Sequence, residues 1–275
     1  MQQDSKNPAI SADAIITNLN TIYTSQPLVH NITNFVVMQQ TANALLAIGA
    51  SPIMAHATEE VTEIVQCAQA LVLNIGTLEN AWIKSMHQAL TAAKKRNIPI
   101  VLDPVGVGAT TFRTHTALDL INSGLPNVIR GNAAEIMALA GINIRTKGVD
   151  SQYATEAAWE ASQKLSQQFK CAIVVSGATD IITTSQQQVC LANGVPLMAK
   201  ITGMGCIATA IIGAFCAVNP DTFAAAAHAM AVIGIAGEIA ILSARGPGSF
   251  RVNFMDALAT LDKEAIVERL KFANK

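Results

Sequence analysis

Apolar residues fall into short continuous runs at 51–54, 70–75, 98–104, 127–130 and 171–176. Runs such as Leu71-Val72-Leu73 and Ile100-Val101-Leu102 show no polar alternation. That is what strands covered on both faces of a parallel sheet require. Between them lie stretches of helical character at 36–48, 58–66, 79–96, 114–123, 133–140 and 155–169. This βαβ rhythm predicts a mostly parallel sheet with helices on both sides. After Ser176 the pattern changes. Residues 180–185 and 188–192 predict a hairpin, and 197–201 a third short strand. From Gly205 onward the chain reads as helical nearly to its end. The expected architecture is α/β: a parallel sheet, then an antiparallel edge, then a helical C-terminal part. No linker, repeat or low-complexity tract divides the 275 residues, so one domain is expected.

Composition raises one question. Hydrophobic residues make up 51% of the chain and charged residues only 13%. Either a membrane or a large interior with hidden subunit faces would account for this. The most lipid-like stretch, 223–242, is long enough to span a bilayer. It is built from Ala and Gly, carries His228 and Glu238, and follows Pro220 and Asp221, which read as a helix start. Burial within protein is the cheaper reading, and no membrane partner is expected. The polar segment 1–11 carries no apolar signal region, so no secretory signal is expected either. A net charge of −1 without any Lys/Arg block argues against nucleic acid as a partner. The five cysteines are unpaired in spacing, and a cytoplasmic setting with free thiols is expected. Cys67, Cys171, Cys190 and Cys216 read as small buried hydrophobes; Cys206 is treated separately.

Four places carry candidate chemistry. Gly203-Met204-Gly205-Cys206 follows a strand-like run and opens an apolar helix. The free amides of such a first turn, with the helix dipole, can receive an anion, and a thiol there is expected to be acidified. The same glycines would also serve plain tight packing. Asp103 closes a buried strand, where α/β sheets present ligands, and Gly106 and Gly108 follow it. A carboxylate there suits Mg²⁺, held directly or through water; a simple Asp-Pro turn is the bland reading. A dinucleotide fingerprint fails, because Thr111 stands where the third glycine belongs. Arg130-Gly131-Asn132 precedes a helix, with Glu135 three residues after Asn132. Asn132 and Glu135 make a capping box; alternatively Glu135 shares the Mg²⁺ water shell with Asp103, and Arg130 faces nucleotide phosphates. Ser176-Gly177 is either a turn or a hydroxyl contact to ATP. All four lie just past the carboxyl end of a predicted strand, on the edge where open α/β sheets bind ligands. His30 and His228 read more simply as locally bonded and packed residues.

Longer segments carry a resemblance. They are VHNITN from Val29, AIGASPIM from Ala47, the run from Asp103 to Gly106, the run from Arg130 to Glu135, Gly203 to Cys206, and GPGSF from Gly246. With these the chain resembles the ribokinase-like superfamily and, within it, the hydroxyethylthiazole kinase family of thiamine salvage, over about 28–261. The resemblance implies a three-layer α/β/α fold, ATP and a thiazole alcohol as substrates, and Mg²⁺ as cofactor. Gly203, Gly205 and Cys206 would form the anion hole, with Cys206 where most of the superfamily has an Asp base. Asn132 to Glu135 matches an NxxE motif associated with Mg²⁺; Arg130 and Ser176 match ATP contacts; Met54 and Gly203 match substrate contacts, with the Asn31 segment beside them. A homotrimer with active sites between subunits is also implied. Met204, His56 and Thr184 depart from the family's usual Thr, Asp and Asp. Two other readings compete: an ATP-dependent dehydratase of cofactor repair on the same fold, which usually keeps Asp at the position of Cys206, and a nucleotide-binding module without catalysis.

Overall fold

Strand residues alternate between two interiors. Val29, Val72, Val101, Val128, Val174 and Ile182 point into one core; Leu71, Leu73, Leu102, Ile129, Ile173 and Ile181 point into the other. This period of two is why runs that are apolar throughout become strands: both faces of each strand are covered. The computed structural model describes residues 9–142 and 151–273.

The first core lies under α1 (Ala12–Ser25), α2 (Met38–Ala47), α8 (Met204–Val218), α9 (Thr222–Ile241), α10 (Pro247–Thr260) and α11 (Lys263–Arg269). The second lies under α3 (Val61–Cys67), α4 (Asn80–Arg96), α5 (Thr111–Gly124), α6 (Ala133–Leu139) and α7 (Ser151–Phe169). Between them is one eight-stranded sheet in the order β2-β1-β3-β4-β5-β6-β7-β8. Its strands are β1 (Leu28–Ile32), β2 (Ser51–Ile53), β3 (Ala70–Asn74), β4 (Ile100–Asp103), β5 (Val128–Asn132), β6 (Ala172–Ser176), β7 (Asp180–Thr183) and β8 (Gln188–Leu191). β1 to β6 are parallel; β7 and β8 are antiparallel. The three-layer α/β/α architecture with an antiparallel edge is therefore the observed fold.

Three expectations are corrected. Residues 197–201 are not a strand: Pro196–Lys200 forms a 3-10 helix with Pro196 in its first turn. Pro fits that position because its missing N–H is not needed there. Cys67 is not a buried hydrophobe. It ends α3 on the solvent side and is exposed, and Cys190 is half-buried, whereas Cys171 and Cys216 are buried as expected. β1 was absent from the strands expected, although it lies between β2 and β3 in the sheet.

The apolar stretch at 223–242 is α9. It is long and apolar enough to cross a membrane by length and composition, yet nearly all of it is buried inside the protein. Asp221 caps it by accepting bonds from the N–H groups of Phe223 and Ala224. Residues 1–8 of the polar leader lie outside the described residues; Ser11 caps α1. His228 is buried, with its ring nitrogens 3.0 Å from Asn18 Oδ1 and 2.8 Å from the Ala9 carbonyl. It is a packed residue, as is His30, which is fully buried and pairs with the Ala55 carbonyl.

Candidate active site

The parallel strands end side by side, so their last residues form a row. Asn74 of β3 is in register with Asp103 of β4, and Asn132 of β5 with Ser176 of β6. Asn34 follows β1 two residues beyond its end. The row therefore runs Asn34, Asn74, Asp103, Asn132, Ser176 along the carboxyl edge.

Hydrogen bonds join the near end of this row. Asn34 Nδ2 donates to Asn74 Oδ1 at 2.8 Å and approaches Cys206 Sγ at 3.5 Å. Asn74 Nδ2 donates to Asp103 Oδ2 at 2.8 Å, and the Thr209 hydroxyl donates to the same oxygen at 2.8 Å. Arg130 Nη1 lies 4.0 Å from Asp103 Oδ2, and Arg130 Nη2 donates to Ser176 Oγ. Asp103 is fully buried. Burial pushes its carboxyl up to about 6, with the Glu135 charge adding to the rise; Arg130 and the bonds from Thr209 and Asn74 oppose it. Its Oδ1 is buried with no hydrogen-bond partner.

Glu135 is fully engaged. Its Oε2 accepts from the Asn132 N–H at 2.8 Å, and the Asn132 side chain accepts from the Glu135 N–H at 2.9 Å, a complete capping box at the start of α6. Its Oε1 accepts from the Gly106 N–H at 2.8 Å, tying the β4–α5 loop to α6. Among the described residues no group of three His, Cys, Asp or Glu side chains forms a metal-binding cluster.

The start of α8 sits over this floor. Gly203 is its N-cap with φ +87°, a conformation that glycine adopts without strain. Gly205 packs against the guanidinium: a Cβ there would stand 2.3 Å from Arg130 Nη1. Cys206 is in the first turn, but its thiol is not acidified. Burial raises it to about 11, the Asp103 charge adds to this, and the Asn74 and Asn34 contacts and Arg130 only partly offset it. Dehydration of the thiolate and the neighbouring carboxylate outweigh the helix terminus.

One guanidinium also braces the loops beyond β3 and β4. Arg113 of α5 donates to the carbonyls of Ile75 (2.6 Å), Val105 (2.8 Å) and Gly76 (2.8 Å). Gly76 in turn packs on Asn34.

Beside the floor opens a cleft of about 680 Å³. Arg130, Ser176, Asp180, Gly203 and Gly205 line its polar end; Val195, Met198, Met230 and Ile233 line its apolar end. Burial raises the Asp180 carboxyl to about 6, against a bond from the Gly177 N–H and the charge of Arg130.

The structure thus brings Asp103, Arg130, Asn132, Glu135, Ser176, Gly203, Gly205 and Cys206 to one crevice. Met54 and Asn31 lie outside this hydrogen-bonded group. Met54 follows β2 at the open edge of the sheet, and Asn31 lies within β1 with its amide donating to the Val29 carbonyl at 2.9 Å. Neither is joined to the Cys206 group by a hydrogen bond among the described residues. Three members of the floor were not singled out from the sequence: Asn34, Asn74 and Thr209. Asn74 had a usable signal, a polar residue closing an apolar strand, as had Thr209 within the apolar run that starts at Ile207.

A mostly parallel sheet with a glycine-capped helix start over its carboxyl edge is the ribokinase-like α/β/α fold. A ribokinase-like superfamily protein from Enterococcus faecalis V583 shares this fold at 16% identity, with a TM-score of 0.65, covering 96% of this chain and 92% of that one. The likeness tightens with the hydroxyethylthiazole kinase family model, which matches residues 19–264. A hydroxyethylthiazole kinase from Syntrophus aciditrophicus is 51% identical over 246 residues, 89% of this chain and 91% of its own length. The solved hydroxyethylthiazole kinase structure from Pyrococcus horikoshii OT3 has a TM-score of 0.88 at 41% identity, covering 95% of this chain and 98% of that one. The chain belongs to the hydroxyethylthiazole kinase family.

Proposed function

We propose that the chain transfers the terminal phosphate of ATP to the primary hydroxyl of 4-methyl-5-(2-hydroxyethyl)thiazole. The observation that carries this reading is the convergence of the α8 N-terminal amides, Arg130 and Asp103 on one crevice that opens into a large cleft. The names of the relatives support the choice of alcohol.

ATP lies in the cleft, its base toward Met198, Met230 and Ile233 and its phosphates toward Arg130 and Ser176. Amides from Gly203 to Cys206 receive the charge that builds on the transferring phosphoryl oxygens. Asp103 fits Mg²⁺: it is a hard oxygen donor whose Oδ1 has no other partner, and so it would hold the ion through the ion's waters. Both Glu135 oxygens already accept backbone N–H groups, so Glu135 contributes charge rather than a free ligand. When bound, Mg²⁺ neutralises phosphate charge and fixes the orientation of the triphosphate. Cys206 carries its proton at neutral pH and shapes the pocket rather than acting as base. Phosphoryl transfer through a loose transition state depends on positioning more than on removal of the alcohol proton.

Met54 and Asn31 contribute to the alcohol pocket. Because Met54 lies at the open sheet edge, its pairing with Gly203 is assigned to neighbouring subunits of a trimer in the cytoplasm. The largely exposed Phe35 and Val36, next to Asn34, support a covered face there. Incubating the enzyme with ATP, Mg²⁺ and the thiazole alcohol, and following products by phosphorus NMR, tests the reading. One thiazole phosphate is expected for each ADP. ADP formed only with a hydrated cofactor would instead establish the dehydratase.

A further inference from the structure

Glu238 is a carboxylate in the apolar run of α9, 7% exposed, with no part in the polar floor. A buried charge is costly unless it is bonded and paired. Its Oε1 accepts from Asn193 Nδ2 and from the Gly194 N–H, each at 3.1 Å, and its Oε2 accepts from Lys271 Nζ at 3.0 Å. Asn193, also buried, turns to the same neighbours. Its Nδ2 donates to the Arg269 carbonyl at 2.6 Å, and its Oδ1 accepts from the Lys271 N–H at 2.9 Å.

The segment after α11 then runs beside β8. The Ala192 N–H donates to the Lys271 carbonyl and the Ala273 N–H to the Cys190 carbonyl, both at 3.0 Å, with an antiparallel bridge between Leu191 and Phe272. On its other side the loop after β8 is seated on α9. A Cβ on Gly234 would stand 2.6 Å from Asn193 Cβ, and one on Gly237 2.6 Å from Met198 Sδ. Both bonds to Glu238 Oε1 thus fix one loop, while Oε2 takes Lys271 from the C-terminal segment; Asn193, Gly194, Val195, Pro196 and Met198 of that loop line the large cleft. Lys271 lies beyond the residues matched by the family model.

We propose that Glu238, with Lys271 as its counter-ion, is a positioning residue that holds this loop as the far wall of the nucleotide site and so sets the affinity for ATP. The inference rests on the reading of the cleft as the ATP site. The segment that supplies Lys271 acts as a strap across the edge of the sheet, and Glu238 and Asn193 connect it to the cleft wall.

Purified Glu238→Gln, Lys271→Met and Lys271→Arg enzymes test this, with ATP and alcohol saturated separately. The Lys271 side chain is 55% exposed, so its replacement leaves the core intact. In Glu238→Gln a donor amide faces Lys271, and KM for ATP is expected to rise about tenfold, the effect of one buried charged bond. Lys271→Met is expected to raise it about threefold, as suits a half-exposed pair, and Lys271→Arg to restore it. kcat and KM for the alcohol stay within about twofold in all three, since neither group touches the floor. An unchanged KM for ATP in folded Lys271→Met and Glu238→Gln, or an equal rise in KM for the alcohol, would overturn the proposal. Should Glu238→Gln not fold, Lys271→Met decides. Hydrogen exchange separates the two readings. ATP is expected to slow exchange at 193–199 in the wild-type enzyme. No slowing there would overturn the placement of ATP in the cleft itself, and the proposal with it.

Discussion

The two ends of the site are built differently. The floor is a chain of buried polar groups, Asn34 to Asn74 to Asp103 to Thr209, each held by another side chain at hydrogen-bond distance. The far end of the cleft is apolar and takes its shape from a loop pressed onto α9. A polar floor of this kind is rigid, because each unmade bond would leave a buried group unsatisfied. A packed loop has no such constraint at its surface, so its position depends on what braces it. Under the proposed function, the contrast would put chemistry on the floor and affinity on the wall.

The sharpest way to break that contrast is Asp103→Asn. Under the proposed function, loss of the carboxylate that would hold Mg²⁺ is expected to lower kcat by about a thousandfold, with KM for ATP little changed. Its pH profile gives a second reading. The Asp103 carboxyl is raised to about 6, so rate should fall below pH 6 in the wild-type enzyme as the carboxylate takes a proton. The sign for stability is opposite to that of a paired carboxylate. The folded state holds the proton more tightly, so stability from this group falls as pH rises from 3.8 to about 6 and is level above it. Asp103→Asn should remove the rate trend and weaken the stability trend, leaving the part that the likewise raised Asp180 contributes, measured by steady-state rates and thermal melts across pH. A kcat within tenfold of wild type would move the chemistry away from the floor.

Gly205→Ala comes next. The added methyl meets the end of the Arg130 side chain, which can swing aside, so the fold should survive. Displacing the guanidinium from Ser176 and Asp103 is expected to cost about tenfold in kcat/KM through a lost charged bond. A variant with full activity would show that Arg130 does not serve the phosphates.

Cys206→Ala should have the smallest effect, within about tenfold in kcat, since a thiol raised to about 11 is not an available base. The alkaline side of its pH profile should match that of the wild-type enzyme. A loss well beyond a hundredfold would make Cys206 a catalytic group.

Most of the sheet was legible because continuous apolar runs have few other uses at that length. β1 was not, since His30 and Asn31 interrupt LVHNI with polar groups that prove fully buried. Their burial follows from the sheet around them, which the local pattern does not carry. Residues 197–201 misled in the opposite way, with apolar character but Pro196 starting a tight helical turn. In the site, glycine turns and strand-end carboxylates stood out by residue type. Asn74 and Thr209 did not, because an amide and a hydroxyl are ordinary until register places them on Asp103. The raised Cys206 thiol was hidden for the same reason: its neighbours come from β3 and β4, far away in the chain.

The two ends of the sheet bear on solubility. An exposed strand edge is a template on which other chains can stack. At one end β2 has three residues, one of them Pro52, which offers no amide hydrogen for such growth. At the other, the residues around Phe272 already occupy β8, so loosening them would uncover a pairing surface. The segment proposed to brace the cleft wall thus also covers the outer edge of β8.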